Sequence, residues 1–179
     1  MKWNHQMLTH KVIILLISLF LTGCAGQAFV KPDTAELKLG ETTYSEFITL
    51  AGEPYTKRYI ESDVKSLQVL EYAHAVAGLN SFFGGKVQSK GFLAVFSKNI
   101  LVGYKYESTY KSDSTDFNEN YYSQIIKDKT TELEIRNNLG EPDGICIYPL
   151  TKEKGDKTLL YIYGYAYSSG LGVKGSGKS

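Results

Sequence analysis

Apolar and polar positions along this chain change period twice in the same order, helical spacing first and strict alternation after it. Phe47, Leu50 and Ala51 share one helical face, bracketed by Thr43 on one side and Gly52-Glu53-Pro54 on the other. Alternating runs follow. Tyr55 to Ile60 is a possible strand start, Leu67 to Val76 a clearer strand, and Phe92 to Ser97 and Ile100 to Ser108 flank Lys98-Asn99, a two-residue hairpin loop. Farther along, Ile135 and Leu139, with Leu133 nearby, fall on a helical face before Gly140-Glu141-Pro142. Gly144 to Tyr148 and Leu159 to Tyr167 then read as strands.

The two helical stretches are copies of one pattern. Residues 42–54 and 130–142 align without a gap, with six of thirteen positions identical. Thr43 and Thr131 stand as N-caps, each followed three residues later by Glu46 or Glu134. In such a capping box hydroxyl and carboxylate satisfy orphan N–H groups reciprocally. Gly52 and Gly140 stand where a left-handed residue ends a helix, and Pro54 and Pro142 prevent continuation. Each copy has a helical predecessor in this reading: Asp33 to Leu39 in the first, Phe117 to Lys127 in the second. A loop-like run, Ser108 to Asp116, separates the copies.

The expected fold class is therefore α+β: two tandem helix–helix–antiparallel-meander units, the second shortened at its C-terminus. Residues 33–110 form the first unit and 111–179 the second, with an incomplete sheet and a flexible Gly- and Lys-rich tail from Gly170 to Ser179. A bulge-like insertion, Gly78 to Ser89, is expected to split the first sheet. The alternative is one larger α+β domain whose halves share only a capped turn.

Before these units lies a segment of a different kind. Lys2 and Lys11 give a positive start with no acidic residue before Cys24, and Val12 to Leu21 is apolar except for Ser18. Ten residues are too few for a membrane-spanning helix, which needs ~20. Leu21-Thr22-Gly23-Cys24 closes the run with the small residues that lipoprotein processing requires. Residues 1–23 are expected to be a lipoprotein signal peptide, Cys24 the lipidated residue and 24–32 a tether; an uncleaved anchor or a buried N-terminal helix is the alternative. Two acyl chains suffice for stable anchoring, each buried CH₂ contributing ~0.8 kcal/mol. Ala25 in place of an aspartate favours the outer membrane, and the anchored protein is expected to face the periplasm.

The residues Gly40-Glu41-Thr42-Thr43, Glu46, Gly52, Pro54 and Tyr72, then Phe92-Leu93-Ala94-Val95-Phe96 and the strand from Ile100, make a pattern that resembles the SmpA/OmlA (BamE-like) family of outer-membrane lipoproteins. Thr130-Thr131, Glu134, Gly140, Pro142 and Tyr161 or Tyr163 repeat the resemblance in the second copy. The tandem layout is similar to that of β-lactamase inhibitor proteins. The family's aspartate-glycine hairpin is Lys98-Asn99 here. The resemblance implies a fold and a location, with no partner-contacting residue carried over.

Composition narrows the function. Removing Lys2 and Lys11 leaves 18 basic against 19 acidic residues, a net charge of about −1, so nucleic acid is not an expected partner. With Cys24 lipidated, Cys146 has no intrachain partner and reads as a small buried hydrophobe. His74 is the one histidine beyond the signal peptide and reads as a packing residue in its strand. No metal set, nucleophile motif or phosphate loop is present in the sequence, so an enzyme, a cofactor or a small-molecule substrate is not expected. Tyrosine stands out instead, at 14 of 179 residues. Tyr161, Tyr163, Tyr165 and Tyr167 would share one face of a single strand, and Phe82 and Phe83 sit in a glycine-flanked loop. These six are the candidate protein-binding residues. The expected function is a lipid-anchored protein-binding module at the outer membrane, in outer-membrane protein assembly or envelope integrity. A protein inhibitor of an envelope enzyme, or a structural lipoprotein without a specific client, are the alternatives.

Overall fold

The computed structural model describes residues 28–62, 65–76, 86–113, 115, 117–168 and 173–178, with only the backbone at Ser62, Lys65, Lys86 and from Gly164 onward. The expected signal peptide, Cys24 and the loop carrying Phe82 and Phe83 lie outside the described residues. One antiparallel sheet dominates. Its strands are β1 Thr56–Ser62, β2 Lys65–Val76, β3 Lys86–Ser97, β4 Ile100–Ser108, β5 Gly144–Ile147 and β6 Lys157–Leu160, in that order across the sheet. A further hairpin, β7 Tyr163–Ser168 and β8 Val173–Lys178, joins the start of β3, where Lys86 faces Tyr167 and Val87 faces Ala166. Among the described residues there are two α-helices, both short: α1 Tyr44–Ala51 and α2 Glu132–Leu139.

This overturns the tandem α+β expectation. The fold is mostly β, and β4 pairs directly with β5, so strands from both halves belong to one sheet. The expected helical predecessors are 3₁₀ turns, Thr34–Glu36 and Glu119–Gln124. Local chemistry explains the first. The Asp33 side chain caps Ala35 N–H at 2.9 Å, and Leu37 then leaves in an extended conformation to bury itself in the core. The second likewise ends on an extended residue, Ile125 at φ −70°, ψ 120°, which is half-buried.

Both capping boxes form as read. Thr43 Oγ1 accepts from Glu46 N–H while Glu46 accepts from Thr43 N–H at 2.8 Å; Thr131 and Glu134 do the same, the latter bond at 2.7 Å. Both helices end on glycine with φ 76° and 86° and ψ near −170°. That is an extended mirror conformation, reserved for glycine more strictly than the left-handed helical one.

The hairpin between β3 and β4 also forms as read. Lys98 and Asn99 have φ 51° and 65°, the two positive values of a type I′ turn whose twist matches that of the strands. The expected insertion does not split the sheet over its described part: Gln88 and Ser89 pair with Val76 and Ala75 inside β2–β3. Residues 173–178 of the expected flexible tail form β8, each paired with β7 through the backbone ladder.

The main core lies on one sheet face. Leu70 and Tyr72 of β2, Phe92, Ala94 and Phe96 of β3, and Leu101, Tyr104 and Tyr106 of β4 meet Phe47 and Ala51 of α1, with Phe29 and Leu37. Phe47 is fully buried, its ring 5.5 Å from that of Phe96, 5.9 Å from Phe92 and 6.1 Å from Tyr72. The opposite face holds a smaller cluster, Leu67, Val69, Val95 and Val102, flanked by Leu93, Ile147 and Leu150.

Candidate functional site

The aligned segments 34–54 and 122–142 have the same backbone hydrogen bonds position by position. Leu37 N–H donates to Thr34 C=O, and Ile125 N–H to Tyr122 C=O, both at 3.3 Å. Thr42 N–H reaches Lys38 C=O at 2.8 Å, and Thr130 N–H reaches Ile126 C=O at 2.9 Å. The return bonds match too: Lys38 N–H to Thr42 Oγ1 at 2.9 Å, Ile126 N–H to Thr130 Oγ1 at 2.8 Å. Gly40 and Asp128, at equivalent places, both take positive φ, 83° and 61°. Asp tolerates that region better than most side chains, which is why the copy survives without glycine.

A tyrosine latch extends the likeness beyond the aligned residues. Tyr72 Oη donates to Gly52 C=O at 2.7 Å, and Tyr161 Oη donates to Gly140 C=O at 3.0 Å. Each phenol closes the carbonyl that its helix leaves open.

What differs is the surroundings. The first segment grips the β3–β4 turn through three backbone bonds. Gly40 N–H donates to Leu101 C=O at 2.8 Å, Leu101 N–H to Thr42 C=O at 2.9 Å, and Tyr44 N–H to Asn99 C=O at 2.9 Å. The equivalent groups of the second segment are Asp128 N–H, Thr130 C=O and Glu132 N–H, and none of them is bonded to another described residue. The side chains differ in the same sense. Tyr122, Ile126 and Leu133 are 75%, 56% and 68% exposed, and their counterparts in the first copy are Thr34, Lys38 and Ser45. At these three positions the second copy carries apolar groups outward where the first carries polar ones, while Leu50, 39% exposed in the first, is opposite polar Asn138.

The second helix is held by charge. Glu132 meets Arg136 at 2.9 Å and Lys157 of β6 at 2.6 Å, and Arg136 also pairs with Glu141. The hydrogen bond from Lys157, then that from Arg136, hold the Glu132 carboxyl below the usual range. Both capping glutamates, Glu46 and Glu134, are likewise lowered, first by the backbone N–H and then by the hydroxyl of their threonines.

The expected row of four tyrosines on one strand does not form. The chain breaks at Tyr161-Ile162: β6 pairs with β5, whereas β7 pairs with β3 and β8. Ile162 is buried and gives its N–H to Asp143 Oδ2 at 2.6 Å instead of to a ladder. Tyr161 turns to its latch, with its ring 5.9 Å from Phe117. Tyr163 begins β7 and is 37% exposed. Tyr165 and Tyr167 lie in β7, their side chains outside the described residues.

A polar cluster lies at the far end of β4. Tyr106 and Ser108 both donate to Asp113, the serine at 2.9 Å, and Lys31 Nζ stands 4.1 Å from the Tyr106 ring centre. Burial raises the Asp113 pKa, but these two hydrogen bonds, with Lys31 and Lys90, outweigh it and leave the group lowered. Asp143 goes the other way: burial dominates and raises it against the Ile162 N–H and Lys31. His74 Nδ1 lies 3.2 Å from Tyr110 Oη, with the two rings stacked, so it packs and bonds to a neighbour with no nucleophile beside it. Cys146 is half-buried on β5. Among the described residues no group of three His, Cys, Asp or Glu side chains is placed to hold a metal.

The surface of the second cap segment was missed in the sequence. Its signal in the aligned residues is Leu133 opposite Ser45; Tyr122 and Ile126 stand opposite Thr34 and Lys38 once the same offset is carried upstream. No family model, no curated protein and no solved structure matches this chain.

Proposed function

We propose that this protein is a lipid-anchored envelope component that works by binding other proteins at the outer membrane, in outer-membrane protein assembly or envelope integrity. The observation that carries the binding reading is the exposed apolar set Tyr122, Ile126 and Leu133 on one short segment, with Ile126 N–H bonded to Thr130 Oγ1. Exposed large apolar groups clustered on one face mark interaction surfaces, whereas singly scattered ones do not. The anchor reading rests on Leu21-Thr22-Gly23-Cys24 after the apolar run Val12 to Leu21. No helix among the described residues is long and apolar enough to cross a membrane. A thioether-linked lipid on Cys24 would hold the binding surface at high local concentration beside its partners.

Chemical crosslinking of intact membranes, followed by mass spectrometry, tests the binding reading. Adducts with subunits of an assembly machinery support it, a single envelope enzyme points to an inhibitor, and none at all sinks it. Palmitate labelling of the whole chain tests the anchor separately: Cys24→Ser is expected to abolish incorporation, and retained label refutes the assignment.

A further inference from the structure

We infer that the second cap segment is a seat for the tip of a β-hairpin from another protein, held as the first segment holds the chain's own β3–β4 tip. The inference rests on the protein-binding reading and names the structural class of the partner. The first copy shows the occupant. One tip residue, Leu101, supplies both a C=O and an N–H, and Asn99, two residues earlier and in the left-handed conformation, supplies a second C=O. The second copy presents the same donor–acceptor–donor row, Asp128 N–H, Thr130 C=O and Glu132 N–H, on a backbone fixed by the same internal bonds. No described residue fills that row.

The chemistry of the occupant follows. It must bring a C=O, then an N–H and C=O from a residue two farther on, which is what a two-residue hairpin with left-handed turn residues displays at its exit. Around the first seat the equivalent positions are polar Lys38 and Ser45. Ile126 and Leu133 replace them beside the second seat, so the incoming tip carries apolar side chains there. A second copy of this chain is a poorer occupant, because its own tip is already held in its first seat by three bonds.

The test uses the full chain in its own membrane, with the photocrosslinking residue p-benzoyl-phenylalanine replacing Leu133, Ser45 or Tyr59 in turn. Light is expected to join position 133 to one envelope protein at a turn between two antiparallel strands, and to give no such adduct at position 45. Glu132→Pro then removes one seat donor while keeping the helix, since proline is favoured at the first helical position and Thr131 is already extended at φ −84°, ψ 158°. Losing a hydrogen bond of about 1.4 kcal/mol reduces affinity tenfold, so the adduct at 133 is expected to fall about tenfold in Glu132→Pro and to persist in Glu132→Ala. Should the proline variant accumulate poorly, Leu133→Asp with the probe at Ile126 is expected to give the same loss. An adduct insensitive to both variants overturns the seat, as does one to lipid, to a partner helix or to a second copy. No adduct at 133 with adducts at Tyr59 overturns the seat alone; none at any position overturns the binding reading with it.

Discussion

Segments 34–54 and 122–142 fold alike and are kept for different reasons. The first sits on the sheet: Phe47 is fully enclosed by aromatic rings and its backbone clasps the β3–β4 turn. The second keeps the same caps, the same 3₁₀ entry and the same tyrosine latch with far less buried. Leu139 is its buried anchor, and Ile135, aligned with Phe47, is half-buried. Local bonding is therefore enough to specify this backbone, and tertiary burial decides only how firmly it is held. A motif that persists where its core contacts have gone is free to present its outer face to something else.

The largest effect that would break this contrast is at the aligned pair Phe47 and Ile135. Phe47→Ala is expected to cost ~3–5 kcal/mol in urea unfolding, whereas Ile135→Ala costs about 1, because only the first leaves a cavity in a closed aromatic cluster. Equal losses would mean that α2 is as deeply integrated as α1.

The next effect should be the same in both copies. Gly52→Ala and Gly140→Ala put a Cβ in open space, with nothing within 4 Å, but at a φ near +80° and an extended ψ. The whole cost is backbone strain, about 1–3 kcal/mol each, read as matched losses in thermal stability. A clear difference between them would show that the two exits are not equivalent.

The latches sharpen the comparison further. Tyr72→Phe strands a carbonyl next to a phenol that is 3% exposed, and is expected to cost about 1–2 kcal/mol by denaturant titration. Tyr161→Phe, whose bond to Gly140 is open to solvent, should cost about 0.5 or less. Reversed magnitudes would place the tighter latch in the second copy.

The smallest effect is in acid. Glu46 and Glu134 both have folded pKa values lowered from 4.5 by their threonines. A lowered carboxyl stabilises the fold above its unfolded pKa and loses that contribution as pH falls through the folded value. Side-chain carboxyl NMR is expected to show both titrating below 4.5, and Thr43→Ala or Thr131→Ala should return only its own partner toward the ordinary value.

Sequence patterning carried the features whose cause is local. Thr43 with Glu46, Thr131 with Glu134, Gly52, Gly140 and the Lys98-Asn99 turn each act over four residues or fewer, and each is where the spacing put it. What failed depended on partners remote in sequence. Phe117 to Lys127 has helical spacing, yet its apolar groups divide: Phe117, Tyr121 and Ile125 are half-buried, whereas Tyr122 stands 75% exposed on a 3₁₀ turn. Leu159 to Tyr167 alternates like one strand, but Asp143 captures Ile162 N–H and hands the chain to another partner. The joining of β4 to β5 left no mark in either strand alone. It merged two expected sheets into one.

The position of β3 also governs the order in which the chain becomes native. It pairs with β2 and β4 along most of its length and with β7 at its first residues, Lys86 and Val87 facing Tyr167 and Ala166. The first two pairings are hairpin-like and close short loops, so they form quickly once residues 65–108 are free. The third joins points about 80 residues apart and waits for nearly the whole chain, and non-local pairings of this kind are the slow ones. A polypeptide emerging from its N-terminus would thus hold a finished β2–β4 meander, with the start of β3 still unclaimed, until β7 arrives.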